Sequence, residues 1–158
     1  MEFTIVKYRI FTVLFFVIFA APVLWAANVS VLIMESGLSG DSSGNVYPFL
    51  WENGLLDAFF ESGHIVTNSP KIQIDGKPDE DFPAEAERDF DNAKEGGMDY
   101  FLIAIIDYAT PYVSLRLFDI RSTKMVLEQK YRITSFRNTK EENDKIKAAA
   151  RNMVAHLR

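Results

Sequence analysis

A glycine-rich loop lies between an apolar run at residues 28–34 and an amphipathic segment, an arrangement that can bind phosphate. Its glycines are Gly37, Gly40 and Gly44. Their spacing matches neither G-x-G-x-x-G nor the G-K-[ST] ending of a P-loop. No lysine lies between Lys7 and Lys71 to pair with a phosphate. We therefore interpret residues 35–45 as a polar connection and predict no cofactor site there.

Oxygen ligands for a hard cation occur in two places. The first set has the spacing of the early ligands of a calcium loop: Asp41, Ser43 and Asn45, with Glu52 as the closing acid. Val46 stands where such a loop requires glycine, so the pattern fails. The second set is a short acidic stretch: Asp75, Asp79, Glu80 and Asp81. A solvated loop explains that stretch, and the sequence predicts no metal site.

Side chains for general acid–base or nucleophilic catalysis are few and scattered. His64 and His156 are the only histidines, and they fall in different predicted elements without the spacing of metal ligands. Asp89 and Asp91 are two positions apart on a predicted helix and do not share a face. No G-x-S-x-G nucleophile motif is present. The sequence therefore predicts no catalytic residues and a protein that is not an enzyme.

Composition limits the classes of partner. The chain has 17 basic and 22 acidic residues and a net charge of −5, which gives no support for a nucleic-acid partner. Residues 75–95 carry nine acids against three bases, and residues 121–158 carry ten bases against four acids. We interpret these two segments as solvated faces. The absence of cysteine excludes disulfides, thiol catalysis and a lipid-attachment cysteine.

The first 27 residues have the order of an export signal. Lys7 and Arg9 precede an almost wholly apolar run at residues 10–24, and Ala26 and Ala27 follow. This pattern predicts a signal peptide at residues 1–27, cleavage near Ala26 or Ala27, and a periplasmic or secreted protein. The alternative is that residues 10–27 are retained as an anchor in the inner membrane. Residues 28–158 are then expected to form one domain.

Periodicity predicts eight elements in the order βαβαβββα. The strands are at residues 28–34, 64–68, 100–106, 111–120 and 125–133, and the helices at 47–62, 83–95 and 139–157. This order indicates the α/β class, an α+β sandwich in which helices pack on a mixed sheet. Residues 100–106 lack alternation, as expected of a strand buried on both faces. Thr139 and Glu142 form the pattern of a capping box at the last helix.

The first helix has its predicted apolar stripe at Phe49, Leu56, Phe59 and Phe60, widened by Trp51 and Leu55. Gly54 interrupts this helix and costs about 1 kcal/mol relative to alanine. Residues 69–82, between the second strand and the second helix, are predicted to be a loop.

Three segments resemble the family of envelope proteins related to the TolB amino-terminal domain, CsgG and LpoB. Residues 55–67 are similar to its helix-to-strand step, 93–107 to its entry into a buried strand, and 113–129 to its following hairpin. Thr123 stands where the family's hairpin turn usually has glycine. The resemblance implies this α/β topology and a periplasmic domain that binds other envelope proteins. It transfers no functional residue, and no lipid anchor, β-propeller or membrane-inserting hairpin carries over.

Two functional hypotheses follow. The first is a non-catalytic interaction module that binds an envelope protein, with a membrane contact only if the N-terminal segment is retained. The second is a periplasmic protein that binds a small ligand, with Tyr47, Phe49 and Trp51 at the lip of a pocket. Aromatic residues at helical spacing more often pack in a core, which favours the first hypothesis. The sequence does not indicate which residues bind the partner.

Overall fold

A computed structural model of the chain describes residues 26–37, 46–76, 82–133 and 139–157. The strands are β1 (Asn28–Ser36), β2 (Ile65–Asn68), β3 (Ile72–Ile74), β4 (Tyr100–Asp107), β5 (Tyr112–Asp119) and β6 (Lys124–Arg132). The helices are α1 (Tyr47–Glu61), α2 (Glu87–Glu95) and α3 (Thr139–Val154), and a 3₁₀ turn at Ala84–Ala86 leads into α2. The predicted α/β fold class is confirmed, because three helices pack on one mixed sheet.

The sheet has the order β2-β1-β4-β5-β6. β1 pairs in parallel with β4 on one side and with β2 and β3 on the other, while β4, β5 and β6 form an antiparallel meander. The crossover from β1 through α1 to β2 and the crossover from β3 through α2 to β4 run in opposite directions along the sheet. Their helices lie on opposite faces, as right-handed connections require.

One strand, β3, lies where the sequence predicts a loop. The predicted loop at residues 69–82 contains β3, which continues the pairing of β2 along the same edge of β1: Asn28 aligns with Ile65, and Met34 aligns with Ile72. A run of three residues between Pro70 and Gly76 is too short for alternation to be recognised, so this prediction of a continuous loop was wrong.

The larger core lies between the sheet and the helices α1 and α3. Its members alternate along the strands, with Val29, Val31 and Ile33 from β1 and Val113, Leu115 and Leu117 from β5. The predicted alternation of β5 is confirmed.

The predicted stripe of α1 was partly wrong. Trp51, Leu55 and Phe59 are fully buried, whereas Phe49 and Phe60 are 56% and 74% exposed. Apolar side chains surround most of this helix, so periodicity alone does not select the buried face, and contact with the sheet decides it.

The smaller core lies on the opposite face, beneath α2 and the 3₁₀ turn. It contains Leu32, Phe101, Ile103 and Phe118, with Phe82 and Phe90 packed at its margin. β4 contributes residues to both cores, which confirms the prediction that this strand is buried on both faces.

Residues 1–25 lie outside the described ranges, so the export signal and the domain limits 28–158 remain predictions. None of the helices in the described part of the chain has the length and apolar character that crossing a membrane requires.

Candidate partner-binding groove

Ring nitrogens of both histidines lie within hydrogen-bond distance of the backbone. The backbone N–H of Ala27 donates to Nδ1 of His64 at 3.1 Å, which requires that nitrogen to be unprotonated. Burial lowers the pKa of His64 below its ordinary value of 6.5. His156 is exposed at the end of α3, where its Nδ1 lies 2.8 Å from the carbonyl oxygen of Asn152.

Two buried carboxylates, those of Glu35 and Glu142, are occupied by neighbouring side chains. Glu35 is fully buried, and its Oε1 accepts a hydrogen bond from the hydroxyl of Tyr108 at 2.6 Å. Lys71 Nζ lies 2.5 Å from Oε2 of Glu35. The two groups form an ion pair, but their angles are not those of a hydrogen bond. Glu142 bonds to Tyr47 and, at 3.1 Å, to Lys145. These carboxylates link elements to one another and are not presented to a substrate.

The predicted capping box at Thr139 and Glu142 is not tested by the structure. The side chain of Thr139 lies outside the described residues, and the carboxylate of Glu142 is used by Tyr47 and Lys145.

The two aspartates of α2 have different surroundings. Asp91 is exposed, whereas Asp89 is 4% exposed, with Arg88 Nη2 3.8 Å from its Oδ2. Within the described ranges, no group of three or more His, Cys, Asp or Glu side chains has the geometry of a metal site.

The predicted loop at residues 35–45 begins later than expected, because Glu35 and Ser36 belong to β1. Gly37 is its one described glycine, and the calcium-like residues 41–45 and the acids 79–81 lie outside the described ranges. Gly37 has φ +71°, and a β-carbon there would lie 2.8 Å from the backbone nitrogen of Ala109. Its role in the structure is therefore steric, because it allows the end of β1 to approach the β4–β5 turn. Glu52 accepts a hydrogen bond from Asn68 at 2.5 Å and lies inside α1.

The aromatic residues considered for a pocket lip do not form one. Tyr47 and Trp51 lie in the larger core, and only Phe49 is exposed. Tyr47 and Trp51 pack inward, as expected for aromatics at helical spacing, whereas Phe49 does not.

The main candidate site is a groove between α2 and the β5–β6 hairpin, with a volume of about 500 Å³. It is lined by Phe82, Glu87, Phe90, Asp91, Phe118, Thr123 and Met125. We call this site the aromatic groove.

Three phenylalanines form the floor of the aromatic groove. The ring of Phe82 meets those of Phe118 and Phe90 edge to face, with centroids 5.0 and 5.4 Å apart. Phe90 in turn meets Phe101 of β4 edge to face at 5.5 Å. Edge-to-face contacts are the favoured geometry of aromatic pairs, so the floor is held in place before any ligand arrives.

One wall of the groove is acidic. Glu87 and Asp91 are one helical turn apart on α2, and both are exposed. No ion pair joins either of them to another described residue. Two carboxylates at this spacing repel each other, so the wall favours a cation.

The opposite wall is the β5–β6 turn, which has an unusual backbone. Thr123 has φ +54°, the left-handed conformation that normally requires glycine, and a β-branched residue is rare there. Asp119 holds the turn, since its Oδ1 accepts the N–H of Ser122 at 2.7 Å. That hydrogen bond is the main cause that lowers the pKa of Asp119.

A β-bulge follows this turn. Leu117 aligns with Leu127 but Phe118 aligns with Met125, so Val126 is an additional residue. The bulge brings Met125 onto the face of Phe118, where its side chain borders the groove and is 41% exposed. Bulges commonly redirect side chains beside functional sites.

The aromatic groove is not predicted by any periodic pattern in the sequence. Phe82 falls in a predicted loop, and the bulge that places Met125 is invisible to alternation. The one available signal was Thr123, because the resemblance indicates a glycine at that position.

A family model described as "Uncharacterised protein" matches residues 39–146, more than half of the chain. No curated protein sequence matches significantly.

Solved structures match at the level of the fold. The C-terminal domain of LpoB from Salmonella enterica is 13% identical, and the match covers 73% of this chain and 88% of that one with a TM-score of 0.47. TolB from Acinetobacter baumannii is 14% identical over 82% of this chain and 28% of that one, with a TM-score of 0.46. Lipoprotein GNA1162 from Neisseria meningitidis is 20% identical over 82% and 96%, with a TM-score of 0.44. The predicted resemblance to TolB and LpoB is thus confirmed as a weak resemblance of fold.

Proposed function

We propose that this chain, which belongs to the family whose model matches residues 39–146, is a non-catalytic domain that binds another protein of the cell envelope. The observation that carries the proposal is the aromatic groove, an apolar depression with exposed walls that neither core fills. Exposed apolar surface with a polar rim is typical of protein-interaction sites.

The envelope location is supported by the sequence. The predicted export signal at residues 1–27 and the resemblance of residues 55–67, 93–107 and 113–129 to an envelope family both favour it.

The use of the buried ionisable groups supports a role without catalysis. His64 accepts a backbone hydrogen bond from Ala27, and Glu35 and Glu142 bond to side chains of other elements. Side chains that hold the fold in this way are not available for proton transfer to a substrate.

Photocrosslinking in intact cells tests the proposal. A photoreactive phenylalanine analogue is introduced at Thr123 or Met125 in the full chain with a carboxy-terminal tag, and at the exposed Asp57 of α1 as the control. We expect the groove positions, but not Asp57, to crosslink one envelope protein that mass spectrometry identifies. Crosslinks that are the same at all three positions, or absent at both groove positions, would contradict the proposal. The mass of the uncrosslinked protein also shows whether residues 1–26 or 1–27 are removed.

A small ligand is the second candidate occupant, because about 500 Å³ lies within the range of small-molecule sites. The groove is bordered by four exposed side chains, Glu87, Asp91, Thr123 and Met125, so it would leave much of a small ligand in contact with water. A ligand that binds only the folded state raises the melting temperature. A rise with a periplasmic metabolite fraction, abolished by Met125→Lys but not by Asp57→Lys, would favour this candidate over a protein partner.

A further inference from the structure

We propose that the aromatic groove binds a segment of the partner in which a large apolar side chain lies next to a lysine or arginine. This inference rests on the proposed function, since it specifies the chemistry of the partner that the groove accepts.

The floor of the groove selects the apolar side chain. Phe82 and Phe90 present partly exposed rings that are fixed against each other and, through Phe82, against the buried ring of Phe118. An aromatic or large aliphatic side chain would bury area against these rings at little conformational cost to the protein. Met125 at the margin is unbranched and polarisable, so it can adjust to the shape of the incoming side chain.

The acidic wall selects the basic side chain. Glu87 and Asp91 lie beside the apolar floor and form no ion pair with another described residue. A lysine or arginine can lay its aliphatic stem along the phenylalanine rings while its charged head reaches these carboxylates. A cation between them also removes their mutual repulsion and can contact the ring faces.

The same wall excludes acidic partners. An acidic residue beside the apolar anchor would face two carboxylates at close range, which is a repulsive element of specificity. The described segment that carries this wall, residues 82–95, has five acids and two bases, so its field favours the approach of basic partners.

Three acetylated, fluorescein-labelled peptides test the proposal against the protein purified from cells that express the full coding sequence. The first carries Trp-Lys-Phe-Arg between Gly-Ser flanks, the second has both basic residues replaced by glutamate, and the third has both aromatic residues replaced by serine. Fluorescence anisotropy measures binding at low and high salt. We expect the first peptide to bind at least about ten-fold more tightly than either other peptide, and to weaken with salt.

Charge-reversal variants locate the binding. In Glu87→Lys/Asp91→Lys, the preference is expected to reverse, so that the glutamate peptide binds better than the basic one. The matched control is Asp57→Lys/Glu61→Lys on α1, which makes the same charge change at the same helical spacing on exposed residues across the sheet. We expect the control variant to bind the peptides like the unmodified protein. Circular dichroism verifies that both variants are folded.

The outcomes separate this inference from the proposed function. If the three peptides bind alike, or none binds at about 1 mM, the inference about partner chemistry is wrong. Groove-specific crosslinks in cells would still support the proposed function in that case. Two other outcomes would also reject the proposed partner segment. The first is that photocrosslinking at the groove positions captures a second copy of this chain. The second is that free lysine and arginine raise the melting temperature while the peptides do not.

Discussion

Tyr47, at the start of α1, donates a hydrogen bond to the carboxylate of Glu142, in the first turn of α3. Both residues are buried, with exposed fractions of 2%. The bond joins residues 95 positions apart and fixes the two helices of the larger core at the ends where they begin. Lys145 donates to the other carboxylate oxygen at 3.1 Å, so the acid has two partners.

Replacing Tyr47 with phenylalanine tests this link. Tyr47→Phe keeps the ring in the core but leaves a buried carboxylate oxygen without its donor. We expect a loss of about 1–3 kcal/mol in the free energy of unfolding, measured by urea denaturation. The exposed Tyr112→Phe serves as the control and is expected to change stability by less than about 0.5 kcal/mol. Equal effects of the two substitutions would contradict a structural role for the bond.

The same link predicts a dependence on alkaline pH. Burial, with a further contribution from Glu142, raises the pKa of Tyr47 far above its ordinary value of 10. The phenol therefore ionises in the unfolded chain before it does so in the folded protein, and stability falls as pH rises above about 10. In Tyr47→Phe this decrease should be smaller, as measured by urea denaturation between pH 8 and about 11. An unchanged slope would mean that other tyrosines or lysines account for the decrease.

Gly54 allows α1 and α3 to approach closely. A β-carbon at this position would lie 2.5 Å from Cγ2 of Ile146, which is closer than carbon atoms can pack. Although alanine is the better helix former by about 1 kcal/mol, we expect Gly54→Ala to destabilise the protein by about 1–3 kcal/mol.

A double-mutant cycle isolates the Gly54 contact. Ile146→Ala removes the clashing methyl group, so its combination with Gly54→Ala should cost less than the sum of the single changes. Additive costs in thermal or urea unfolding would show that the close approach does not limit residue 54.

These two contacts show what the sequence could and could not predict. The element order, the doubly buried β4 and the alternation of β5 follow from local patterns, because each pattern matches the period of its own element. The buried face of α1 does not follow, since Phe49 and Phe60 are as apolar as Trp51 and only the sheet distinguishes them. From the sequence, Gly54 only weakens a helix. The structure explains it by the close approach of Ile146, which lies on another helix 92 positions away.

The aromatic groove was beyond sequence reasoning for a similar reason. Its floor combines Phe82, Phe90 and Phe118, which come from a connection, a helix and a strand. Their meeting depends on the crossover into β4, and the position of Met125 beside them depends on the β-bulge. Neither feature leaves a periodic signal in the chain.

His64 gives a prediction near neutral pH. Burial lowers its pKa below 6.5, so the unfolded chain binds a proton at a higher pH than the folded protein does. The contribution of the neutral His64 to the free energy of unfolding should therefore be fully present above pH 6.5 and should decline as the pH falls below it. In His64→Asn, which has no titrating ring, we expect a smaller decline between about pH 7.5 and 5.5. His156→Asn, at the exposed end of α3, is the control; a larger change in that variant would refute the assignment to His64.

The strained turn at Thr123 predicts that replacing this residue raises the stability of the protein and weakens binding in the aromatic groove. A left-handed conformation costs a β-branched residue about 1–2 kcal/mol, while glycine adopts it without strain but loses more entropy on folding. We expect Thr123→Gly to raise the free energy of unfolding by about 0.5–1 kcal/mol. Thr110→Gly, in the β4–β5 turn, is the control and should destabilise the protein, because it removes the hydroxyl bonded to Asp107.

Since Thr123 borders the aromatic groove, the stabilised Thr123→Gly variant should also bind the basic aromatic peptide more weakly, as measured by fluorescence anisotropy. A variant with higher stability and undiminished binding would show that the strain at Thr123 serves no purpose in the groove.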